Sequence, residues 1–429
     1  MKRFLSLFIA IAMVFTSLQF TSKVYAADIP RPTDPYTQKG MLALLKEYNA
    51  DAYHIVSTEI NKYGADPSVW YVFSENIMSD LDTAVHETFH GYSYDTAGIF
   101  GYSENIYVGD GQSYILDYSN IPLFETSEVF EDLDPSLKTG RFNQYVSTTS
   151  VASANLYGVY GLINEFTAYY WGLNTMFSLL DYYIEYDTDN TGWKEYAKSL
   201  ANNMNAYAEF RYWILSYMLY AKDKHPKTYK AILNDKEFCT AYTEMNDRFA
   251  TLIDNNLGAN TKFNEALAER NCAIIASGGI YFYENDTFSG KDLNDFITLM
   301  TEMNGNDRYK EISKKIEENA NSSGKTNGKN IVDGIEKPSK PVWSGIRRKS
   351  NGIELKWEEI NDVTGYYIFR STNGSTYRRV KKIENAAKTT WVDHKAKDNG
   401  STYKYKIKAY TSKNNTTVSG KFSSVISSD

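Results

Sequence analysis

Leu81-Asp82-Thr83-Ala84-Val85-His86-Glu87-Thr88-Phe89-His90-Gly91-Tyr92 is the stretch on which the fold of this chain turns. Leu81, Ala84, Val85, Phe89 and Tyr92 recur at helical spacing, so the segment predicts a helix with one apolar stripe packed into a core. His86 and His90 fall on a neighbouring stripe shared with Asp82. Residues four apart on a helix lie about 40° apart around the axis and about 6 Å along it. Two imidazoles so placed can reach one metal ion, and Glu87 can sit beside the ion's open position and take a proton from water. Between Thr83 and Tyr92 no charged residue other than Glu87 occurs, as expected for a helix at the floor of a cleft. With only five histidines in the chain, chance rarely produces H-E-x-x-H.

The periodicity continues in the same sense. Helical patterns run over 39–62, 151–186, 193–222, 227–255, 260–276, 290–304 and 306–319, with Tyr, Trp, Leu and Met at spacings of three and four. Asp66-Pro67 reads as an N-cap followed by a first-turn proline. Residues 94–150 are mixed, with strand-like pieces at Ile106-Tyr107-Val108 and Tyr114-Ile115-Leu116. The expectation is a mainly α, or α+β, domain over 27–320. Asp187-Thr188-Asp189-Asn190-Thr191-Gly192 resembles the first half of an EF-hand loop, but Lys198 stands where the twelfth-position glutamate belongs, so the segment reads as a capping loop.

The first 26 residues read as a secretory signal: Lys2 and Arg3, an apolar run from Phe4 to Phe15, and Val24-Tyr25-Ala26 as a cleavage site. That run is short of the roughly 20 residues that span a bilayer, so no membrane span is expected, and the mature chain is expected outside the cytoplasm, secreted or bound at the cell wall. Cys239 and Cys272 allow one disulfide or two buried thiols. The 36 tyrosines and seven tryptophans can fill a large aromatic core. Residues 337–429 carry 19 Lys and Arg against 8 Asp and Glu, while 27–336 carry 24 against 45. An acidic body argues against nucleic acid. Its basic tail either lingers on an anionic surface such as a cell-wall polymer or simply solvates an exposed sheet.

Residues 321–338 lack apolar periodicity and read as a linker. Beyond them the period becomes 2, in Ile353-Glu354-Leu355-Lys356-Trp357, Tyr367-Ile368-Phe369-Arg370 and Tyr403 to Tyr410, as in a β-sandwich. Over 339–428 the chain resembles fibronectin type III domains, through Leu355-x-Trp357, Gly365-Tyr366, Thr390-x-x-Asp393 and Thr402-Tyr403-x-Tyr405-x-Ile407. The resemblance puts Tyr403 at the family's tyrosine corner.

A catalytic zinc needs a third protein ligand. Ser93 and Thr96 stand where a metzincin would place Gly and His, which excludes that class, and Asp95 fits no familiar spacing. Glu165 is the only charged residue between Arg141 and Asp181, inside a long apolar helix. A lone buried carboxylate is costly unless compensated. A zinc held by two neutral histidines would compensate it; so would an Arg such as Arg211.

His86-Glu87-x-x-His90 with Asn164-Glu165-x-x-Ala168 resembles the gluzincin branch of the zincin metallopeptidases. The resemblance implies Zn²⁺ on His86, His90 and Glu165, Glu87 as general base, and a peptide or protein substrate. Where many gluzincins carry an aspartate that orients a zinc histidine, this chain has Tyr169, which leaves Tyr169 or Asp82 for that task. Tyr92, Tyr157 and Tyr160 are candidates for the donor that faces the oxyanion. An adhesion protein with a structural or vestigial zinc, and a cell-wall zinc amidase, are the competing readings.

Overall fold

A computed structural model describes residues 37–64, 70–71, 77–98, 101–180, 182–183, 191–257, 269, 272–276, 278–284, 287–321, 331–332, 335–336, 338–371, 377–396, 402–413, 416–420 and 422–428. The expected signal segment, Asp66-Pro67 and Asp187 to Asn190 of the stretch resembling half an EF-hand loop lie outside these residues. The chain is helix-rich, with small separate antiparallel sheets. Apart from the hairpin tip at 109–112, it divides at Ser322/Ser323 into two compact units.

The first unit begins with α1 (Gln38–Tyr48) and α2 (Ala50–Tyr63) where one helix was expected. Asn49 ends the first helix and caps the second, its Oδ1 accepting from the Ala52 amide at 3.0 Å. The H-E-x-x-H segment lies on α3 (Ile77–Thr96), with Leu81, Ala84, Val85 and Phe89 fully buried. A hairpin of β1 (Ser103–Gly109) and β2 (Gln112–Asp117) follows. The expected helix over 151–186 starts with an isolated turn, Ser153–Leu156, before α4 (Gly158–Ser178). Gly158 adopts φ +54°, and a side chain there would meet the Tyr217 hydroxyl at 2.5 Å. Only glycine fits.

Helix α4 is buried along nearly its whole length and packs between α3 and α5 (Thr191–Lys224). Gly172 makes the α3–α4 approach close: a Cβ there would lie 3.1 Å from the Asp82 carbonyl oxygen and 3.8 Å from His86 Cβ. The helix expected over 227–255 is α6 (Pro226–Asn234) and α7 (Lys236–Leu257), divided at Asp235, whose Oδ1 accepts from the Phe238 amide at 3.0 Å.

The helix expected over 260–276 is corrected at its end. Ala273–Ala276 is strand β3, paired with β4 (Gly279–Glu284), which pairs in turn with β5 (Thr287–Asp292). A short apolar run carries no period that separates strand from buried helix, and here the β-branched Ile274 and Ile275 pair with Phe282 and Tyr281. Helices α8 (Asn294–Gly305) and α9 (Asp307–Asn321) complete the unit. Among the described residues no helix is long and apolar enough to cross a membrane. Cys239 and Cys272 are both buried and not joined to each other.

Within the expected linker, residues 331–332 and 335–336 form a short antiparallel pair. The second unit then holds two antiparallel sheets. In one, β7 (Gly352–Trp357) lies between β6 (Trp343–Lys349) and β10 (Thr390–Asp393). In the other, β8 (Gly365–Ser371) lies between β9 (Arg378–Ile383) and β11 (Lys404–Lys413), which also pairs with β12 (Thr416–Ser419) and β13 (Ile426–Ser427). Alternate residues of both sheets, including Leu355, Trp357, Tyr366, Ile368, Tyr405 and Ile407, form one core. The tyrosine expectation shifts here. Tyr403 is buried, but the hydroxyl that bonds back to the main chain is that of Tyr366, donating to the Ala386 carbonyl at 3.1 Å.

Candidate metal centre

Helices α3 and α4 bring His86, His90 and Glu165 together. The two Nε2 atoms are 3.3 Å apart, and Glu165 Oε2 lies 3.6 Å from His86 Nε2 and 3.4 Å from His90 Nε2. Glu165 is 7 % exposed, and its Oε2 has no hydrogen-bond partner among the described residues. The near-equilateral triangle is too open for good N–H···O bonds. It matches the edge of a tetrahedron whose ligands sit about 2.0–2.2 Å from its centre, about 3.3–3.6 Å. Two imidazole nitrogens and a carboxylate oxygen are a donor set that zinc accepts. Glu87 stands at the rim: its Oε1 is 3.9 Å from His86 Nε2, and its side chain is 41 % exposed.

The charges respond to this proximity. Burial pushes the His90 pKa down, but the Glu165 carboxylate and the Asn164 amide outweigh it and raise it to about 9. For Glu165, burial pushes upward, and the charge on His90 with contacts from both imidazoles brings it down to about 2.

Behind the triangle, the residue that orients a histidine is Asn164, whose amide gives no signal in the sequence beyond its place next to Glu165. His90 Nδ1 lies 2.5 Å from Asn164 Oδ1, and Asn164 Nδ2 donates to Ser93 Oγ at 2.9 Å. An amide oxygen there makes His90 Nδ1 the protonated nitrogen and leaves Nε2 its lone pair for a metal. Asp82 does not serve this purpose, since its carboxylate accepts from Ser199 Oγ at 2.8 Å and from the Thr83 amide at 2.7 Å. Tyr169 touches His86 edge to face at 4.5 Å between centroids, but its hydroxyl receives Arg141 Nε–H at 3.0 Å and meets the Tyr145 hydroxyl at 3.1 Å. The Asn164 role was visible only as the neighbour of Glu165 in the motif.

The alternatives for Glu165 are engaged elsewhere. Arg211 points Nη1 at the sulfurs of Met300 and Met303, 3.8 and 3.6 Å away. Asp95 pairs with Lys62 at 2.8 Å. The cation that does lie nearby, Arg141, is bound to fully buried Glu209 at 2.7 Å. Tyr160 donates to Asp235 at 2.8 Å and the Tyr92 hydroxyl meets His54 at 3.3 Å. The hydroxyl-bearing tyrosines beside the site are Tyr145 and Tyr169, which with His86, Glu87, Gln144 and Asn203 line a cavity of about 190 Å³.

The chain matches no family model, no curated protein and no solved structure.

Proposed function

We propose that this chain is a secreted zinc peptidase of gluzincin type, with His86, His90 and Glu165 as ligands and a fibronectin type III-like sandwich at its C-terminus. The observation that carries the reading is the His86–His90–Glu165 triangle, closed by a buried carboxylate oxygen that has no hydrogen-bond partner among the described residues. When bound, zinc supplies Lewis acidity toward a carbonyl and a water of lowered pKa. Glu87, at the mouth of the cavity, takes up the water's proton and delivers it to the leaving amine. Asn164 fixes the His90 ring. Arg141 donates to the Tyr169 oxygen, so the Tyr145–Tyr169 pair keeps one hydroxyl proton for the oxyanion of the substrate.

An open site favours this reading over a structural zinc. Structural zinc sites have four protein ligands, whereas here three donors meet beside a cavity and a half-exposed glutamate. The basic composition of 337–429 supports attachment of the second unit to anionic polymers, which would hold the enzyme near the cell wall. Glu87→Gln tests the assignment. Peptide hydrolysis should fall by about 10²–10⁴-fold while the zinc content stays that of the wild type. Equal activity in the two proteins would remove Glu87, and with it the proposed chemistry.

A further inference from the structure

We infer that the outer face of the sheet formed by β8, β9 and β11 is a track for a linear phosphodiester polymer, a polyol chain joined by phosphates. Arg379 and Lys382 meet the phosphates on one side, Lys404 and Lys406 on the other. This rests on the reading of the second unit as an attachment module and is independent of the peptidase chemistry.

Alternation and register put these side chains on one face. On β8, Tyr366 and Ile368 point into the core, so Tyr367 and Phe369 stand outward, half-buried. On β11, Tyr405 and Ile407 point inward, so Lys404, Lys406 and Lys408 stand outward, about 6–7 Å apart along the strand. Phe369 is flanked in register by Arg379 of β9 and Lys406 of β11, and Tyr367 by Lys382 and Lys408. The central strand thus carries rings and both of its neighbours carry cations. The rings are engaged by those cations and by one another. Tyr367 stacks on Tyr410 at 4.3 Å and holds the Arg379 guanidinium 5.1 Å from its centroid. Phe369 meets Phe422 at 4.9 Å and Lys408 at 5.6 Å, and Lys406 lies 4.3 Å from the centroid of Tyr377. The aromatic floor therefore fixes the positive groups in place.

The charge on this face is only partly answered within the unit. Lys408 is committed to Asp110 at 2.7 Å and is left out of the track. Lys382 pairs with Glu384 at 2.6 Å, but both are exposed, and a polyanion displaces such a pair at little cost. Arg379 and Lys404 have no ion pair among the described residues. A guanidinium fork flanked by ammonium groups suits phosphate oxygens. Recognition by stacking, the mode that reads unpaired bases, needs open ring faces, and here the rings already carry cations or other rings. A polyol phosphate needs no ring. Phosphates joined through a three-carbon polyol are separated by as many backbone bonds as alternate Cα atoms of a strand, so an extended chain keeps pace with Lys404 and Lys406.

The test is binding of the full-length protein to an immobilised glycerol-phosphate polymer over a salt series, beside single-stranded DNA and polygalacturonate, with circular dichroism to verify folding. The glycerol-phosphate polymer should bind tightest. Arg379→Gln combined with Lys404→Gln should weaken it about tenfold or more at low salt and lower the logarithmic salt slope by about 0.7 per cation removed. Lys388→Gln combined with Lys395→Gln removes two exposed lysines outside this sheet and should change binding by about twofold or less. Equal losses in the two double variants overturn the track and leave attachment by net charge standing. Tighter binding of DNA or polygalacturonate overturns the polyol phosphate as its occupant. No binding of any of the three polymers by folded protein overturns both the track and the attachment reading, and leaves the peptidase untouched.

Discussion

Glu165 and Glu104 are both buried within the influence of Asn164 and His90, yet they hold their protons in opposite ways. Glu165 faces two imidazole nitrogens at 3.4 and 3.6 Å and is driven down to about 2. Glu104, on β1, has only the Tyr118 hydroxyl at 3.3 Å, the Asn164 amide and a more remote His90. Burial dominates, and its pKa rises to about 8. Equal burial thus gives a carboxylate in one place and a carboxylic acid in the other. The partner decides. A site for a cation is marked by the carboxyl that stays ionised inside the protein without a guanidinium partner, and of these two Glu165 answers to that.

Glu209 provides a control, a buried carboxylate with a full guanidinium partner, and the largest effect is expected there. Arg141→Met leaves the buried Glu209 without its guanidinium partner, and should destabilise the protein by about 3–5 kcal/mol in urea or thermal unfolding. A loss below 1 kcal/mol would mean that burial costs little in this core. Next comes the shared neighbour. Asn164→Ala frees the His90 ring and should weaken zinc binding by about 10–100-fold in a competitive chelator titration, with little change in helix content.

Glu104→Gln should act on stability, with zinc binding unchanged. The folded protein keeps a proton on Glu104 that the unfolded chain releases near pH 4.5, so this group's contribution is full below that pH. It is lost as pH rises through about 8. The Gln variant should therefore gain on the order of 3–4 kcal/mol relative to wild type between pH 5 and pH 8. A parallel stability–pH curve in the two proteins would show that Glu104 is ionised throughout.

Much of the contrast was legible in the sequence, and the reason lies in what periodicity can encode. His86, Glu87 and His90 declare themselves by spacing on one helix, and Glu165 by being the one charge in an apolar helix. Glu104 and Arg141 sit in segments whose composition is ordinary, and their burial is fixed by packing against elements far away in the chain. Asn164 was in view, but an uncharged amide in a buried helix gives no signal until its partner, 74 residues earlier, is known. For the fold, the helices of the first unit and the strands of the second follow from their periods. The breaks at Asn49 and Asp235 depend on capping geometry that a repeating pattern hides. Strand β3 shows the converse limit, since four apolar residues fit either structure.

The central claim is that Glu165, and not Glu104, completes a zinc site. Zinc content after exhaustive dialysis at neutral pH, with circular dichroism to verify folding, tests it directly on wild type, Glu165→Gln and Glu104→Gln. One zinc per chain is expected in wild type and Glu104→Gln, and none in Glu165→Gln. Folded wild type that holds no zinc, or Glu165→Gln that holds it as firmly as wild type, would contradict it.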